Sequence, residues 1–133
     1  MNKYLVCLSV LALCFSLIEA ATRSEVERLI HQANQEVRGQ EILAIRTATR
    51  DALTRATTQQ QKICVTTKVG PANRDLNLAL SRELVAIETR YRTSTPQQLE
   101  QLDVSALSQE LHQRFSSAVS SVRGWVDQIN GCA

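Results

Sequence analysis

Residues 60–71 read QQKICVTTKVGP, from Gln60 to Pro71. How this stretch is read decides the fold. Ile63, Val65, Thr66, Thr67 and Val69 are β-branched and would suit a strand. Gly70-Pro71 reads as a stop. No second strand-like run exists to pair with it, and a lone strand is not stable. Helix ends tolerate β-branched residues. The stretch is therefore expected to form the frayed last turns of a first helix, ended by Gly70-Pro71, and the chain is expected to be all-α.

Upstream, Ser24 and Glu27 have capping-box spacing. Val26, Ile30, Ala33 and Val37 then recur at helical intervals, and after Gly39 so do Ile42, Ile45, Ala48, Ala52 and Ala56. The phase shifts at Gly39, which predicts a kink there or a change of buried face. Downstream, Leu76, Leu80, Leu84, Ile87 and Tyr91 mark a second helix. Thr95, Pro96 and Gln98 supply a cap, a first-turn proline and a capping-box partner. Asp103 offers a second start. Val104, Leu107, Leu111, Phe115, Ala118, Val122, Val126 and Ile129 then make a sustained apolar stripe, closed by Asn130-Gly131.

Three such helices joined by short turns form an up-down-up antiparallel bundle, or a bundle of four if helix one folds back at Gly39. In the up-down-up arrangement the end of helix one and the end of helix three meet. Cys64 and Cys132 then lie at the same end and are expected to form a disulfide. Closing a loop of that length contributes about 4 kcal/mol by chain entropy.

The other two cysteines, Cys7 and Cys14, lie in a different kind of segment. Met1-Asn2-Lys3 is a short basic start, Tyr4 to Ile18 is apolar, and Glu19-Ala20-Ala21 offers small residues for cleavage. Residues 1–20 read as a secretory signal peptide cut after Ala20, leaving 21–133 as a single helical domain. The apolar run is shorter than the roughly 20 residues that span a bilayer. The protein is thus expected to be secreted and extracellular, with no integral membrane segment and with its remaining two cysteines in an oxidising compartment.

The formal charge is only +2 over 133 residues. That balance is too weak and too scattered for a nucleic-acid partner. Tyr91, Phe115 and Trp125 are the only aromatics after residue 20, so the core must be built from Leu, Ile, Val and Ala, which suits helix packing. Ser117 and Ser121 are read as small residues that let helices approach closely.

No catalytic chemistry is legible. His31 and His112 match no zinc spacing. Ser116, Ser117, Ser120 and Ser121 cluster without a nucleophile elbow. The four dispersed glycines after residue 20 make no phosphate loop. No catalytic, metal or cofactor residue is assigned, and the protein is expected not to be an enzyme.

The expected function is binding through a protein surface, to an extracellular partner or to a second copy. The alternative is a carrier holding a small apolar ligand between its helices. Helix one, ending near Gly70, would span about 40 residues and roughly 60 Å, and helix two about 20 residues and roughly 30 Å. The first half of helix one would overhang and expose its stripe, which makes Leu29, Ile30 and Val37 candidate partner-binding residues. Trp125 is a fourth candidate, as an exposed aromatic anchor.

Overall fold

The segment 60–71 lies inside a helix, but it opens the second helix and does not close the first. The structure is a computed structural model describing residues 22–133. The signal peptide expected at 1–20 lies outside the described residues. Five helices follow in order: α1 (Arg23–Arg55), α2 (Gln59–Arg92), α3 (Pro96–Glu100), α4 (Val104–Ala118) and α5 (Ser120–Asn130). No strand occurs among the described residues.

The cap of helix α1 lies two positions before the expected one. Thr22 accepts the Glu25 N–H at 3.2 Å, so Thr22 takes the role assigned to Ser24. The helix runs unbroken through Gly39, which is exposed and needs no special backbone conformation. The four-helix fold-back is therefore absent.

The first turn of the chain falls at residues 56–58, about thirteen residues earlier than Gly70 suggested. Thr58 and Gln61 form a full capping box: Thr58 Oγ1 accepts the Gln61 N–H at 3.2 Å, and Gln61 Oε1 accepts the Thr58 N–H at 3.1 Å. Helix α2 then continues through Gly70-Pro71. Pro71 has no N–H to offer the preceding turn. The ring of a proline also collides with the Cβ of the residue before it, which normally drives that residue out of helical geometry. Gly70 has no Cβ, so that collision does not arise. The space around Gly70 is open, which leaves Pro71, and no neighbouring helix, as the reason for a glycine there. The Thr66 and Thr67 hydroxyls donate to carbonyls one turn back, at Lys62 and Ile63, so both are satisfied within the helix.

α1 and α2 are therefore nearly equal, at 33 and 34 residues, and the expected overhang does not exist. They run antiparallel, and α4 and α5 return along them in the up-down-up order. α3 begins as predicted, with Pro96 in its first turn and a Thr95–Gln98 capping box. Asp103 caps α4. The helix is interrupted for one residue at Val119, which is itself buried, so the apolar stripe continues from α4 into α5. Ser117 and Ser121 are exposed and mediate no close approach.

The core runs the length of the bundle. Ile30, Val37 and Ile45 of α1 are buried, as are Val65, Leu76, Leu80 and Ile87 of α2 and Leu111, Phe115, Val122 and Ile129 of α4 and α5. Each such side chain contributes about 1.5–3 kcal/mol by leaving water. Two arginines of α1 close the ends. Arg23 donates to the carbonyls of Arg92 (3.4 Å) and Ser94 (3.1 Å), where α2 finishes. Arg55 donates to the carbonyls of Asn130 (3.2 Å) and Ala133 (3.4 Å), where α5 finishes. Each guanidinium meets unpaired carbonyls at the negative end of a neighbouring helix.

Cys64 and Cys132 form the disulfide, with Cα atoms 5.7 Å apart. It ties the first turns of α2, not the last turns of α1, to the C-terminus.

Candidate binding groove

The residues expected to meet a partner are differently placed. Leu29, Ile30 and Val37 are buried within the monomer, at 6%, 1% and 1% exposure. α4 and Leu99 of α3 cover the part of α1 that was expected to overhang, so these side chains present almost no surface to a partner. Trp125 is half-buried on α5 and donates its indole N–H to the Asp75 carboxylate on α2.

Three concavities on the outer faces of α1 differ in chemistry. The α1–α4 groove mixes Leu29 and Ala33 with polar side chains, and Glu36 and His112 face across it at 3.7 Å. Near the N-terminus, α1 and α2 enclose a hollow of about 150 Å³ between Ile30, Tyr91 and Leu99, rimmed by Glu27, His31 and Glu88. Burial raises the Tyr91 hydroxyl pKa above its usual value; Glu110 adds to the rise, while Arg90 and Arg114 oppose it. Each of these two sites has at least one carboxylate in its lining. No group of three potential metal ligands occurs among the described residues, and no helix among them is long and apolar enough to cross a membrane.

The third groove is more apolar. Toward the disulfide end, α1 and α2 open a trough of about 700 Å³. Ile42, Ile45 and Leu53 of α1 and Val69 of α2 form its floor, and Arg46 and Arg50 stand on its rim. The α1 residues recur every three or four positions and so share one helix face. Ala48 and Ala52, on the flank turned away, are buried in the core. The trough therefore lies on the outer side of the α1–α2 pair, across from α5.

Its neutral polar residues already use donors within their own helices. Thr49 Oγ1 donates to the Ile45 carbonyl at 2.7 Å and Thr54 Oγ1 to the Arg50 carbonyl at 2.9 Å. Asn73 Nδ2 donates to the Val69 carbonyl at 3.1 Å. Covering these groups costs less than their residue types suggest, because unpaired polar groups are what make desolvation expensive. No carboxylate lines the trough. Arg50 touches Asp51 at the surface, at 3.5 Å, a pairing worth little in water. Arg46 makes no ion pair among the described residues.

Sequence reading passed over this trough. The available signal was Leu53, an apolar residue out of phase with the stripe of Ala48, Ala52 and Ala56, and its side chain is 36% exposed.

The chain matches no protein-family model, no curated protein and no solved structure. The class defined by its own geometry is a disulfide-tied, three-rod helical bundle with one apolar, cationic outer groove.

Proposed function

We propose that the protein is a secreted, non-enzymatic binding protein that engages a protein partner through the α1–α2 groove. One observation carries the reading: the trough has a mainly apolar lining with Leu53 exposed in it, and its two threonine hydroxyls and the Asn73 amide already donate within their own helices. Exposed apolar concavities of this kind are typical interaction sites. The N-terminal leader and the disulfide support an extracellular location.

A photoreactive residue at position 53, compared with one at exposed position 85, tests this in protein recovered from its native extracellular fluid. N-terminal sequencing of that protein is expected to begin at Ala21. A discrete protein adduct at position 53, absent at position 85, is the expected result. A stoichiometric lipid extracted from the purified protein, with no protein adduct, would replace this reading with that of a carrier.

A further inference from the structure

We infer that the occupant of the α1–α2 groove is an amphipathic helix with acidic flanks. This rests on the proposed binding role and adds the chemistry of the partner. The trough is straight, because it lies between two antiparallel helices. From Ile42 to Thr54 it extends about 18 Å along α1, a little over three helical turns. The opposite side of the same helix pair is already filled by a helical rod, α4–α5, through Leu111, Phe115 and Val122. The α1–α2 pair thus packs a helix on one face and presents a second apolar channel on the other. Laying an apolar helix face into such a channel is a recurrent recognition mode.

Charge selects the flanks. The rim carries Arg46 and Arg50, and no lining residue is acidic. Glutamates beside the apolar face of an incoming helix would reach both guanidinium groups, whereas lysines there would be repelled. The trough is open along its length, so an acyl chain would stay half in water. A helix could cover it completely.

The test uses the mature protein and two labelled synthetic helices about four turns long. Both carry the same leucine face, one with glutamate flanks and one with lysine flanks. By fluorescence anisotropy the glutamate peptide is expected to bind at least about tenfold more tightly, with an advantage that shrinks as salt rises. The double variant Arg46→Glu/Arg50→Glu should reverse the order, and Leu53→Asp should abolish binding of both peptides. Circular dichroism melts check that each variant stays folded. Equal affinity for the two peptides, sensitive to Leu53→Asp, would overturn the acidic partner and leave the groove reading standing. Binding of neither peptide to folded protein would overturn both. Self-association lost in Leu53→Asp would make a second copy the occupant and overturn the inference. So would binding to anionic vesicles that only the arginine reversal removes.

Discussion

Trp125 on α5 donates its indole N–H to the carboxylate of Asp75 on α2, 50 residues away in sequence. The bond joins the two rods close to the disulfide and gives the only tryptophan a fixed polar contact. Asp75→Ala should lower stability by about 1–3 kcal/mol, since a half-buried donor loses a charged acceptor. Tryptophan emission should shift at the same time. Denaturant titration followed by fluorescence reads both, and an unchanged midpoint would contradict the bond.

The disulfide spans 68 residues of sequence. Cys64→Ser/Cys132→Ser should cost about 2–5 kcal/mol. Hydrogen exchange should rise first in α5, whose end is then held by the buried Ile129 and by Arg55. Uniform loss of protection along all helices would argue against that order.

Leu111 is fully buried at the centre of α4. Leu111→Ala should destabilise by about 2–5 kcal/mol through lost burial and the cavity left behind. A loss under about 0.5 kcal/mol in urea denaturation would place Leu111 outside the core.

Asn34 is the one buried polar side chain among the described residues, 9% exposed, and its Oδ1 has no hydrogen-bond partner there. It lies one turn beyond Ile30, on the apolar face of α1. Asn34→Leu should stabilise the protein by about 1–3 kcal/mol by removing an unsatisfied acceptor. A lower melting temperature would show instead that the amide has a structural task.

Tyr91 supplies a pH dependence. Its folded pKa is raised, mainly by burial, above the ordinary value of about 10. The unfolded chain then loses this proton first, so the contribution is fully present below the unfolded pKa and is lost as pH rises through the folded one. Stability should fall more steeply above pH about 10 in the wild type than in Tyr91→Phe. Parallel melts across that range check the sign.

The helical class, the caps at Thr95 and Asp103 and the α4–α5 stripe were legible because they rest on local chemistry: side-chain oxygens reaching nearby N–H groups, and apolar residues recurring once per turn. The first turn of the bundle was legible too, in Thr58–Gln61, the same signature as Thr95–Gln98. The β-branched run and Gly70-Pro71 outweighed it. Both are tolerated inside α2, because threonine hydroxyls bond back to their own helix and a glycine before proline has no Cβ to clash. Cys64 met Cys132 even so. Moving the turn from 70 to 56–58 transfers Cys64 from one side of a bundle corner to the other, and that corner still meets the C-terminus.

Which apolar faces are covered was decided only by the tertiary structure. Leu29, Ile30 and Val37 carry the same periodicity whether a neighbour packs on them or not, and the equal lengths of α1 and α2 buried them. The same packing left Leu53 exposed and Val69 half-buried beside Arg46 and Arg50, residues that belong to two helices and become one groove only when those helices are set side by side. Periodicity is a property of one helix. A groove needs the register and spacing of two, and that comes from contacts far apart in the chain.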